Sequence, residues 1–220
     1  MLSATGRGRA KPPRGHPEEP MKRRKLMNGS LLAALIVVAL ATIAVPQNQT
    51  AAQVQFPAAG ESVHFALTAA DDKAVTEQNF RGKWLVVYFG YTFCPDVCPT
   101  TMLEIAGALE ALGPQAAVVQ GIFVTVDPDR DTPEVLRDYL KSFDPRLVGL
   151  TGTHAQIAAA AKTFRVFYER QDRDDGTYSY DHSAFIYLVD AEGRFAKAVA
   201  GDVGKRQIAD ALSALMQAGH

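Results

Sequence analysis

Residues 83–89 read K-W-L-V-V-Y-F, and they run directly into G-Y-T-F-C-P-D-V-C-P. An almost unbroken apolar run this short is the pattern of a strand buried on both faces. The rest of the chain has to be arranged around it. Upstream, residues 63–67 (V-H-F-A-L) alternate like a strand. Downstream, residues 100–112 place Met102, Ile105, Ala106, Leu109 and Leu112 at helical spacing and stop at Gly113-Pro114. Residues 118–126 read as the next buried strand, 133–143 as a helix, 147–150 as a short strand and 155–167 as a helix with an alanine-rich face. Residues 183–189 and 194–200 are strands joined at a D-A-E-G turn, and 208–216 form a closing helix. The order ββαβαβαββα predicts an α/β fold, a mixed sheet flanked by helices on both faces.

Charge divides the chain unevenly. Residues 1–25 hold eight Lys/Arg against Glu18 and Glu19, a net +6, while the remainder carries 15 basic and 22 acidic residues, a net −7. An acidic body argues against nucleic acid as a partner, because phosphate binding needs a cationic face. The basic head ends in K-R-R-K at 22–25 and precedes an uncharged stretch, 26–45, whose core is L-L-A-A-L-I-V-V-A-L-A-T-I-A-V. Twenty helical residues rise about 30 Å, enough for a bilayer core. The segment is therefore expected to be one N-terminal transmembrane helix, with residues 1–25 as a cytoplasmic tail, since basic flanks stay inside. A cleaved secretory leader, cut at Ala39-Leu40-Ala41, is the alternative. A head of 25 residues is long for one, and a mitochondrial presequence fits less well because the first 20 residues form no amphipathic stripe. Residues 46–59 read as a tether, and 60–220 as one domain on the far side of the membrane.

Cys94 and Cys98 are the only cysteines. Their position between a buried strand and the following helix resembles the thioredoxin fold. More narrowly, C-P-D-V-C-P at 94–99, D-P-D-R-D-T-P at 127–133 and Y-D-H-S at 180–183 resemble, in order and approximate spacing, the signature of the Sco/SenC family of membrane-anchored copper-binding proteins that help assemble cytochrome c oxidase. The resemblance covers residues 56–219. It implies a thioredoxin-like domain in the periplasm of a bacterial inner membrane and a copper metallochaperone. Its implied partners are cytochrome c oxidase subunit II, whose dinuclear copper site it would serve, and a copper donor protein.

The residues carry part of that reading on their own. Four-residue spacing sets two sulfurs on one side of a helical turn, or on a loop entering one, near enough to share an ion. Thiolates are soft ligands that favour Cu(I) over magnesium, calcium or manganese. Pro99 is suited to the first helical position, which would leave Cys98 at the positive end of the helix dipole, where the thiol pKa falls. A stabilising disulfide is a weaker account, because closing so small a loop removes little unfolded-state entropy. Reversible dithiol redox chemistry of Cys94 and Cys98 is the stronger alternative.

Of the five histidines, His16 and His220 lie in terminal segments, His64 sits on the first strand and His154 at a helix start. His182 opens a strand after a polar loop, where it could be aimed at the cysteines. The family resemblance implies the same assignment, with His182 as third ligand. Two sulfurs and one imidazole suit copper in either oxidation state, Cu(I) or Cu(II), whereas structural zinc takes a fourth protein ligand. Asp127, Asp129, Arg130 and Asp131 are expected to fix a loop or cap a helix, with Asp131 and Glu134 flanking Pro133 as a helix-start signature. Asp181 would face away from His182 on a strand, and Asp172, Arg173, Asp174 and Asp175 read as a solvated loop tip.

A reporter fused after His220 is expected to be active only across the membrane from the basic tail. Recovery of the protein as a freely soluble species cut near Ala41 would establish a cleaved leader instead.

Overall fold

The computed structural model describes residues 54–219. The basic segment 1–25, the apolar segment 26–45 and the tether as far as residue 53 lie outside the described residues. Among the described residues no helix is long and apolar enough to cross a membrane. The chain runs β1 (Ala66–Ala69), β2 (Ala74–Thr76), β3 (Trp84–Gly90), α1 (Val97–Ala111), β4 (Val119–Thr125), α2 (Pro133–Leu140) and β5 (Val148–Thr151). It continues through α3 (His154–Phe164), β6 (Tyr168–Asp172), β7 (Tyr178–His182), β8 (Phe185–Val189), β9 (Phe195–Ala200) and α4 (Gly204–Ala218).

Seven strands form one mixed sheet in the order β2-β1-β5-β4-β3-β8-β9. The neighbours β3, β4 and β5 run parallel, and the remaining pairings are antiparallel. All seven residues of β3 are buried, because successive side chains feed two different layers. Tyr88 points into the layer beneath α1, where its ring lies 6.3 Å from Phe123, which in turn lies 5.7 Å from Tyr139 of α2. Phe89 points the other way, 5.3 Å from Phe164 of α3 and 6.1 Å from Tyr187 of β8. With α4 packed on α1, three helices cover one face and α3 the other. Packing reaches back to Phe56, whose ring meets Phe185 edge-on at 4.9 Å.

The helix starts follow local chemistry, with one correction. Thr132 caps α2, its hydroxyl accepting the Val135 N–H at 3.4 Å with Pro133 at the first helical position. Thr153 and Gln156 form a reciprocal capping box at the start of α3. Helix α1, however, begins at Val97 and not at Thr100, so Pro99 is its third residue and Cys98 lies inside its first turn. Pro is tolerated there because none of the first four helical N–H groups has an intrahelical acceptor.

Two further departures concern strands. Residues 63–67 do bury Val63, Phe65 and Leu67 on one side, but the ladder forms at 66–69. The segment 168–182 folds into a hairpin, β6-β7, that pairs with itself and not with the main sheet. Gly176, at φ 78°, makes its tip, and Asp172 to Asp175 sit there in solvent as expected.

Candidate metal centre

The centre lies at the C-terminal end of β3, where the strand turns into α1. Gly90 ends the strand, and a Cβ there would come within 2.9 Å of Cys98 Sγ and 3.0 Å of the Phe123 ring. The missing side chain is what lets the first turn of α1 settle over the sheet. Cys98 is buried and Cys94, on the preceding loop, is half-buried; both are free thiols. His182, the last residue of β7, brings its imidazole to the same place. One ligand atom from each of Cys94, Cys98 and His182 lies within 4.8 Å of the others.

Hydrogen bonding orients the imidazole. His182 Nδ1 lies 3.2 Å from the Ser183 carbonyl oxygen, which can only accept, so Nδ1 carries a proton. Nε2, the nitrogen left to bind a metal, faces Cys98 Sγ at 3.3 Å. The ring is also walled by Tyr88 and Tyr91, edge-on at 6.1 and 5.9 Å. A backbone carbonyl orienting a ligand histidine through its other nitrogen is the usual supporting arrangement at a metal site. Two sulfurs and one imidazole nitrogen converge, and this donor set fits copper.

The two thiols do not behave alike. Asp96, the residue before α1, makes no capping bond with its side chain, and Cys94 Sγ instead accepts the Cys98 N–H of the first turn at 3.5 Å. A hydrogen bond from the Cys98 thiol holds Cys94 far below the usual thiol range against the opposing effect of burial, with help from His182 and two backbone N–H groups. The reverse applies to Cys98. Its proton is held by Cys94 and by burial, which push its pKa up, while the Tyr88 hydroxyl donates to its sulfur at 3.8 Å. The pair therefore shares one proton, with the negative charge on the more exposed sulfur.

The acidic motif at 127–133 supports this arrangement without joining it. Asp131 is fully buried and accepts from the Thr92 N–H at 3.0 Å and from the hydroxyls of Thr92 and Thr125, each at 2.6 Å. It ties the loop before Cys94 to the end of β4; the helix cap is Thr132. Asp127, also fully buried, accepts from Arg130 Nε and from the Tyr178 hydroxyl at 3.0 Å. Asp129 faces outward and pairs with His154 at 2.8 Å, and His64 pairs with Glu77 at 3.1 Å, so neither histidine approaches the cysteines. Asp181 is exposed and accepts from Gln171, pointing away from His182 as the strand alternation required. His16 and His220 lie outside the described residues.

Sequence reasoning placed His182 at the start of the strand that enters the sheet; it ends β7 instead, and the next strand begins at Phe185. The missed hairpin did leave a signal. Tyr178, Tyr180 and His182 alternate with polar residues after Asp175-Gly176, a dipeptide typical of tight hairpin turns. The roles of Tyr88, Tyr91 and Thr92 had no such signal, because they depend on which side of the strand end each residue faces.

Residues 54–217 match the protein family SCO1/SenC. The chain is 40% identical over 145 residues to Protein SCO1 homolog 1, mitochondrial, of Arabidopsis thaliana, covering 64% of this chain and 43% of that relative. It thus spans less than half of that relative's length. Bradyrhizobium japonicum ScoI, solved with copper bound, is 43% identical and superposes with a TM-score of 0.65, covering 70% of this chain and 98% of that one. BsSco, described as a member of the Sco family of cytochrome c oxidase assembly proteins, is 23% identical with a TM-score of 0.57 over 73% of this chain and 96% of its own, a likeness of fold. The mixed sheet with helices on both faces is the thioredoxin-like fold of these structures.

In the reduced, metal-free chain, alkylation by iodoacetamide is expected to fall on Cys94 at a rate nearly constant between about pH 6 and 8, because its thiolate has already formed below that range. An ordinary thiol below its pKa would react roughly tenfold faster for each added pH unit. Such a climb, or equal labelling of Cys98, would contradict the shared proton.

Proposed function

The chain belongs to the SCO1/SenC family, and from that premise we propose that it is a membrane-anchored copper metallochaperone acting through Cys94, Cys98 and His182. The carrying observation is the convergence of two sulfurs and an imidazole nitrogen of His182 within 4.8 Å. Copper is here the cargo. The two thiolates supply soft ligands sufficient for Cu(I), and the imidazole adds the harder donor that Cu(II) requires. Among the described residues no fourth His, Cys, Asp or Glu joins the group, which favours copper over structural zinc. Cys94 is half-exposed, so cargo can be passed on from the surface without opening the core.

The recipient in this reading is the dinuclear copper site of cytochrome c oxidase subunit II, and a separate donor protein supplies the metal. The copper-loaded Bradyrhizobium relative and the description of the Sco family as oxidase assembly proteins support the assignment. Residues 26–45 would anchor the chain in a bacterial inner membrane and 60–220 would be held in the periplasm, the tether between them being shorter than the expected 46–59 because Phe56 packs on Phe185.

A second reading rests on the low-pKa Cys94. As a thiolate it could attack a disulfide in the recipient, forming a mixed disulfide and releasing one recipient thiolate. Cys98, passing its proton to that thiolate, would then displace the second sulfur, leaving the recipient dithiol reduced and this chain with a Cys94–Cys98 disulfide. Repeated turnover would require an external dithiol reductant.

His182→Ala separates the two. It leaves both thiols in place, so Cu(I) binding and dithiol exchange should persist in part, while Cu(II) affinity falls by at least about tenfold and oxidase assembly in cells fails. Full oxidase assembly by this variant, at normal protein level and without added copper, would favour the reductase.

A further inference from the structure

The hairpin β6-β7 carries His182 but shares no ladder with the seven-stranded sheet. Something else must hold it against the cysteine loop. Ser183 anchors the end of the hairpin locally, exchanging bonds with Phe167, which is also hairpin-flanking. From the cysteine loop, Tyr91 packs on Tyr180 at 5.8 Å and on His182 at 5.9 Å, and the polar contacts that tie this side of the centre to the hairpin are made by Arg130.

Its guanidinium lies 3.7 Å from the centre of the Tyr178 ring at the start of β7 and 4.7 Å from the ring of Phe93, the residue before Cys94. Nη1 donates to the Tyr178 carbonyl at 3.2 Å, and Nε donates to buried Asp127. The Tyr178 hydroxyl closes the circuit by donating to the other Asp127 oxygen at 3.0 Å. Arg170 also lies over the Tyr178 ring, at 3.7 Å. One nitrogen, Arg130 Nη2, is buried without a hydrogen-bond partner. A largely buried ion pair with an unsatisfied N–H is a poor source of stability, and its worth lies in fixed geometry. Only a planar guanidinium can stack between two rings while donating sideways to a carbonyl and a carboxylate.

We propose that Arg130 is a positioning residue of the centre, a latch that fastens the hairpin to the cysteine loop and so presents His182 to the two sulfurs. This rests on the three-ligand copper reading. The latch acts on the imidazole arm alone, because the cysteine loop has its own anchor in Asp131, whose three bonds do not involve Arg130. Removing it should therefore copy the loss of His182 while His182 remains in the chain. Charge alone should not suffice, so Arg130→Lys should fail as Arg130→Ala does.

The test uses the detergent-solubilised full chain, wild type and both variants, with Cu(II) added to the reduced protein and nitrogen hyperfine coupling read by electron paramagnetic resonance. A metal-free readout accompanies it, the hydrogen exchange of the amides of 168–182. The expected result is loss or weakening of the nitrogen coupling, a fall of about tenfold or more in Cu(II) affinity, in the range seen for residues that orient metal ligands, and faster exchange confined to the hairpin. Cu(I) binding should change little. Unaltered nitrogen coupling and Cu(II) affinity in either variant overturns the latch. Should Arg130→Ala fail to fold, Arg130→Lys and Tyr178→Leu decide the matter by the same criteria. Absence of nitrogen coupling in the wild type would instead overturn the three-ligand reading itself, so the two failures are distinguishable.

Discussion

A buried carboxylate with three donors aimed at it sets the conditions for everything at the sheet's edge. Asp131 receives Thr92 twice and Thr125 once, and in doing so it joins the end of β3 to the end of β4 and stiffens the loop before Cys94. Burial raises its pKa and the Thr bonds oppose that shift, with the nearby charge of Asp127 adding to the rise. An isolated carboxylate could not be kept there; one with both oxygens occupied can. With the loop fixed, Gly90 leaves room for Cys98 under the first turn of α1, and Cys94 takes the place that a capping side chain would have filled. The helix entry, the sulfur pair and the low pKa of Cys94 are thus one structural event.

The same device explains why chaperone and reductase chemistry are hard to separate in such a site. A thiolate stabilised by a helix N-terminus is a good metal ligand and a good nucleophile for the same reason. What distinguishes the two is the third group. The imidazole reaches the sulfurs only because a hairpin outside the main sheet is held against them, with its Nδ1 proton committed to Ser183. A dithiol reductase has no need of a harder ligand, whereas a carrier that must hold copper in two oxidation states does.

Much of this was legible in the sequence. The K-W-L-V-V-Y-F run became a central strand, and the paired cysteines fell where a strand meets a helix, because continuous apolarity and four-residue spacing act locally. His182 was expected beside the cysteines and lies there, though for a partly mistaken reason: it closes β7 and does not open β8. The hairpin was overlooked because β6 is polar and largely exposed, giving no buried run to detect, although Asp175-Gly176 marked its turn. The start of α1 was misjudged because Pro99 was given the first helical position when the third also tolerates it. Asp131 resembled a helix cap in sequence, and only its depth and its bonds to Thr92 and Thr125 show what it does. Such cross-chain bonds leave no local periodicity.

The central claim is that one copper ion is held by two sulfurs and one imidazole nitrogen. X-ray absorption at the copper edge, on the reduced full chain loaded with one equivalent of copper, tests it most directly. The account predicts a first shell of two sulfurs and one nitrogen, with the outer-shell scattering of a single imidazole, in the Cu(II) form, and retention of both sulfurs in the Cu(I) form. A shell without sulfur, or one unchanged after Cys94 and Cys98 have been alkylated, would contradict it.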